Sequence, residues 1–82
     1  MEYDKDKVDD MILALLFLTS THDQYGTRAW KGLDWDALDR LHKKGYISDP
    51  KSKLPTLLLS EEGGERSREL FLKYFGVKDP GE

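Results

Sequence analysis

Cysteine is absent from this 82-residue chain, which excludes disulfides, thiolate metal sites and thiol nucleophiles together. Histidine is scarce: His22 and His42 stand far apart, without the spacing of metal ligands. No long apolar run occurs. Met11 to Leu18 is the longest, far short of the roughly 20 residues a membrane-spanning helix needs. The start, Met1-Glu2-Tyr3-Asp4, is acidic where a secretory leader is basic, so the expected location is the cytoplasm. Strong charge of one sign is also missing. A net charge of −3 gives solubility but no whole-chain attraction to nucleic acid. There is no Gly-rich phosphate loop, nucleophile elbow or Ser/His/Asp arrangement, and Gly63-Gly64 lacks the lysine a phosphate loop requires. Asp34, Asp36 and His42 do not converge, because Asp34 is wanted as a helix cap and Asp36 projects outward. Neither an enzyme, nor a cofactor, nor a metal site is expected.

Hydrophobic residues make up 38% of the chain and charged ones 35%. Clustered Leu, Phe and Trp argue against disorder. One domain is expected over 1–76, with a tail at 77–82. A chain this short buries only somewhat more than roughly 60% of its unfolded surface, so its stability is thin and dimerisation is the remaining staple.

The residues 4–19 have helical spacing, with Val8, Met11, Ile12 and Leu15 at i, i+3, i+4 and i+7 on one face. Leu13 and Phe17 lie opposite that stripe and are left over. Residues 20–33 are loop-like, with a short strand or irregular turn at Thr27-Arg28-Ala29-Trp30-Lys31. Asp34 caps a helix from Trp35 to Lys44, and Gly45 stands where a helix-terminating glycine belongs. The inward face of that helix carries Trp35, Leu38, Leu41 and His42. Tyr46-Ile47-Ser48 and Leu54 to Leu59 form a hairpin around a 49–53 turn. Ser60 then caps a last helix whose apolar face is Leu70, Phe71, Tyr74 and Phe75.

This order is α+β: three helices with a two-stranded hairpin between the last two. The run Leu38-Asp39-Arg40-Leu41-His42-Lys43-Lys44-Gly45-Tyr46-Ile47, followed by Leu57-Leu58-Leu59-Ser60-Glu61-Glu62-Gly63, resembles the winged-helix family, in its MarR-like and PadR-like forms. The resemblance implies a recognition helix, a wing and a dimerising last helix. The positioning helix that a helix-turn-helix needs is missing, since only 20–33 precede the recognition helix. The whole chain also resembles a family of short bacterial proteins of unknown function, through Arg28-Ala29-Trp30-Lys31-Gly32, Asp34-Trp35-Asp36 and Gly45-Tyr46-Ile47-Ser48-Asp49-Pro50.

Two functional expectations follow. In the first, which leads, a small bacterial DNA-associated accessory or regulator contacts the backbone of double-stranded DNA through Arg40, Lys43, Lys44, Lys51 and Lys53, with Arg28 and Lys31 in support. Against it, Asp36 and Asp39 stand four residues before Arg40 and Lys43, the favourable orientation for surface ion pairs. In the second, the chain is a protein-interaction module without nucleic-acid binding. Its contact residues are Trp30, Leu13 and Phe17, with Leu72 on the last helix. A homodimer is expected in both.

Overall fold

A computed structural model describes residues 1–24 and 26–77. The expected tail, apart from Val77, lies outside the described residues. The elements run α1 (Lys5–Leu18), β1 (Thr21–Asp23), β2 (Gly26–Trp30), α2 (Trp35–Lys43), β3 (Thr56–Leu59) and α3 (Glu61–Phe75). The α+β class and the three helices are as the sequence predicts. Each helix starts where a short polar side chain can accept an otherwise unpaired backbone N–H: Asp4 from Lys7, Asp34 from Ala37, Ser60 from Gly63. Gly45 closes α2 at φ +83°, a conformation that side chains with a Cβ avoid.

The strands form one antiparallel sheet in the order β1-β2-β3. Residues 21–30, expected to be mostly loop, hold two of its strands. Gly26 opens β2 at φ +123°. The expected hairpin between α2 and α3 survives in reduced form. Ile47 bridges Leu59, while Thr56–Leu59 pairs on its other side with Trp30–Thr27. Ser48 accepts the Leu58 N–H through its hydroxyl at 2.9 Å and donates its own N–H to the Leu58 carbonyl at 2.8 Å. A side chain thus replaces part of the missing ladder.

The core gathers Leu13 and Leu16 of α1, Leu38 and Leu41 of α2, Leu57 of β3 and Leu70 of α3. Helix α1 packs mainly on α3, then on α2. At the start of α3 the contact is so close that a Cβ on Gly63 would lie 2.0 Å from the Tyr46 carbonyl oxygen. The glycine that weakens the helix locally is what lets it sit on the backbone at Tyr46.

The orientation of α1 corrects the expectation. Leu13 is fully buried, so it belongs to the core and to no surface patch. The inward line is Asp9, Leu13 and Leu16, at i, i+4 and i+7. Val8 and Met11 are half-buried and Leu15 and Leu18 exposed; of the predicted inward stripe, Ile12 alone packs on the core. Phe17 is half-buried against Phe71, with ring centroids 5.1 Å apart. Trp35, predicted to be inward, is 57% exposed. As the first residue of α2 it precedes the buried turn formed by Ala37, Leu38 and Leu41.

Candidate functional site

The basic residues singled out from the sequence are largely engaged within the chain. Asp9, 0% exposed, is the reason for two of them. The Arg40 Nε donates to both Asp9 carboxylate oxygens at 2.9 Å, and Lys44 Nζ donates to Oδ2 at 3.0 Å. Arg40 Nη2 lies 2.7 Å from Oδ1 as an ion-pair contact, too steeply angled for a hydrogen bond. Lys44 also reaches Asp6 at 3.3 Å. Burial pushes the Asp9 carboxyl up, but the hydrogen bonds from Arg40 and Lys44 outweigh it and hold it below its ordinary value. The Asp9 hydrogen bond holds Arg40 above its own, and Lys44 rises despite partial loss of solvent because Asp9 and Asp6 accept from it.

Arg40 therefore turns to α1, and the expected Asp36–Arg40 pair does not form. The Asp39–Lys43 pair does, at 3.2 Å. Lys31 donates to the backbone carbonyls of Pro50 and Ser52, tying the end of β2 to the 49–52 turn. Arg28 lies on β2 opposite Thr21 and Leu58, and Lys51 and Lys53 lie on the exposed turn. These last three are the named cations whose side chains have neither a hydrogen bond nor an ion pair among the described residues. Asp9 was missed because an acidic residue is not expected inside an apolar line. The available signal was Arg40 and Lys44 themselves, two cations one helical turn apart on a single face.

The opposite face of α1 is open and apolar. A hollow at its N-terminal end is lined by Asp4, Lys7, Val8, Met11 and Ile12. A second, of about 210 Å³, lies between Leu15, Leu18, Trp30 and Leu33. A third shares Trp30, Gly32 and Leu33 with it and extends to Trp35 and Pro55. The second and third adjoin through the residues they share, and the first follows them along α1, where Met11 and Leu15 are neighbours at i and i+4 on one helix face, so that the three make a strip toward the start of α2. Trp30 stands over it, 59% exposed, and Leu18 beside it is 65% exposed. A Cβ on Gly32 would meet the Trp30 Nε1 at 2.9 Å, so the bare glycine backbone is the seat of the indole. Of the four expected interface residues, Trp30 is on this strip. Leu13 and Phe17 are on the other side of the helix, and Leu72, exposed on α3, shares no hollow with Trp30.

Among the described residues, no group of three or more His, Cys, Asp or Glu side chains gathers where a metal ion could be held. No helix among them is long and apolar enough to cross a membrane. His42, half-buried, is 3.0 Å from the Ile47 carbonyl through Nδ1. A carbonyl only accepts, so Nδ1 carries the proton.

Fold and surface together define a small α+β domain with a buried ionic seam on one side of its first helix and an open apolar strip on the other. Residues 4–77 match the family described as Domain of unknown function (DUF6429), and the chain belongs to that family. It is 51% identical over 75 residues to a protein of Sinorhizobium fredii (strain NBRC 101917 / NGR234) named Uncharacterized protein y4hR, a match covering 92% of this chain and 97% of that one. No solved structure matches the chain.

Proposed function

We propose that the chain is a cytoplasmic, non-catalytic protein-interaction module on a winged-helix-like frame, docking through the open strip of α1 and the Trp30–Trp35 face. The observation that carries this reading is Trp30. A tryptophan held in the open on a glycine seat, next to exposed leucines, is the kind of residue on which binding energy concentrates. Isolated exposed apolar residues are ordinary, but a continuous strip ending in two tryptophans is not. The frame is supported by the order of α2, the Ile47–Leu59 bridge, β3 and α3. Contact with double-stranded DNA has less behind it. Arg40, Lys43 and Lys44 are paired with carboxylates and Lys31 with carbonyls, which leaves Arg28, Lys51 and Lys53 to meet phosphate.

The test is capture of partners by the full chain, compared between Trp30→Ala and a Lys51→Ala/Lys53→Ala double variant, beside titration of a labelled generic duplex at about 50 and about 200 mM salt. Trp30→Ala is expected to weaken capture at least about tenfold, the effect of losing a modest hot spot. The lysine variant should match wild type. Duplex binding that falls steeply with salt and is lost in the lysine variant, with Trp30→Ala neutral, would replace this reading with the DNA one.

A further inference from the structure

We infer that the occupant of the strip is a second copy of this chain, with the two α1 helices antiparallel across a two-fold axis; the inference rests on the interaction-module reading and names its partner. Two observations carry it, and a third is compatible with it.

The first is spacing. Val8, Met11, Leu15 and Leu18 follow one another at intervals of three, four and three residues. That is the a/d seam of a helix that packs against another helix, narrower than the broad stripe of a helix facing a core. The core side of α1 is already filled, by the line through Asp9, Leu13 and Leu16. The seam is what remains.

The second is a knob and a hole at its two ends. Trp30 projects beside Leu18, and the hollow lined by Val8, Met11 and Ile12 lies at the other end. A two-fold axis between Met11 and Leu15 sets Val8 against Leu18 of the second copy and Met11 against Leu15. It also carries each Trp30 toward the other copy's hollow. A self-complementary pair of this kind is what an isologous dimer requires.

The third is charge. The hollow is lined by one acid and one base, Asp4 and Lys7, while Asp6 is turned to Lys44 on the other side of the helix. The Trp30 end carries Arg28 and Lys31 together with Asp34 and Asp36. Mixed charge at both ends sets no like-charge barrier to antiparallel pairing, and the helix dipoles are opposed. The exposed parts of Leu15, Leu18, Trp30 and Trp35 offer on the order of 500 Å² per copy, or about 1,000 Å² for the pair, so it falls among weak, transient interfaces, and a micromolar dimer is expected.

The experiment is sedimentation of the full chain from about 1 to about 500 µM, a range that brackets a micromolar Kd, with thiol cross-linking as a second readout. The mass is expected to rise from 9.5 kDa to twice that value. Leu15→Glu and, separately, Leu18→Glu should keep the helical circular dichroism and weaken association at least about tenfold, as loss of a central apolar contact does. The chain has no cysteine, so Met11→Cys and Leu15→Cys report cleanly. Mixed together they should cross-link to each other, and neither should do so well alone. A 9.5 kDa species throughout, a dimer indifferent to both glutamates, or cross-linking of Met11→Cys only to itself would each overturn the proposal. Failure here, with partner capture still lost in Trp30→Ala, would leave the interaction module standing with a different partner. Failure of both would remove the strip as a docking surface.

Discussion

The two sides of α1 differ in the opposite sense to an ordinary amphipathic helix. The buried side contains a carboxylate, Asp9, at 0% exposure, whereas the side left open carries Met11, Leu15 and Leu18. The difference teaches that burial follows from what the neighbours supply. Asp9 is inside because Arg40 and Lys44 come to meet it from α2. Leu15 and Leu18 are outside because, among the described residues, Trp30 and Leu33 border them without covering them. A buried ion pair is expensive to desolvate and is weak evidence of net stabilisation, yet removing one partner is strongly destabilising. The largest expected effect on this comparison therefore comes from Arg40→Ala. It leaves the carboxylate buried with Lys44 alone and should cost about 3–5 kcal/mol in urea unfolding. Asp9→Leu should cost less, since Arg40 and Lys44 keep partial access to water and their charges can be solvated. Equal losses would mean that the seam is not a buried pair in the sense drawn here. The result also bears on function. A loss of activity in Arg40→Ala cannot be assigned to a lost phosphate contact until folding has been measured.

Leucine truncation sharpens the same comparison at somewhat smaller scale. Leu13 and Leu15 lie two residues apart on one helix, and periodicity places them on opposite faces. Leu13→Ala empties a filled core position and is expected to cost about 3 kcal/mol. Leu15→Ala, at 38% exposure, should cost under about 1 kcal/mol in the dilute chain. Denaturant midpoints for the two variants decide the matter. The reverse order would restore the stripe that hydrophobic spacing alone selects.

Much of the fold was legible. Asp34 and Ser60 marked two helix starts as caps, and Gly45 one helix end, because capping chemistry is local and nearly independent of tertiary context; Asp4, read as the first helical residue, is the cap one position before it. The strand at Thr27–Trp30 was weakly legible, since it is short and set among polar residues. The paired segment 21–23 was not, because Thr-His-Asp carries no apolar alternation and is fully exposed. The rotation of α1 was illegible for a physical reason. A helix apolar nearly all round gives no preferred face, and the residue that fixes the face is an aspartate whose partners lie more than thirty positions away. The candidate site shared this fate. Trp30 could be singled out because it is flanked by Arg28 and Lys31, but its companions depend on which way α1 turns. Choosing Leu13 and Phe17 in place of Leu15 and Leu18 follows directly from that one rotation.

The smallest effect, and the most specific to the buried side, is in acid. Asp9 has an ordinary value of 3.8 and is held below it in the folded chain, because the hydrogen bonds from Arg40 and Lys44 outweigh the effect of burial. A carboxyl depressed by folding contributes stability that is fully present above its unfolded value. As the pH drops below about 4, the unfolded chain takes up its proton first, so unfolding becomes progressively easier until the folded carboxyl is protonated too. Wild type should therefore lose stability more steeply than Asp9→Asn between about pH 5 and the acid limit of folding, and the gap between the two should narrow as the pH falls. Urea midpoints measured across that range test the slope. Parallel curves would show that Asp9 gains nothing from its cations on folding. The carboxylate would then be a tolerated passenger of the buried face, and the fixed orientation of α1 would have to come from Leu13, Leu16 and their contacts alone.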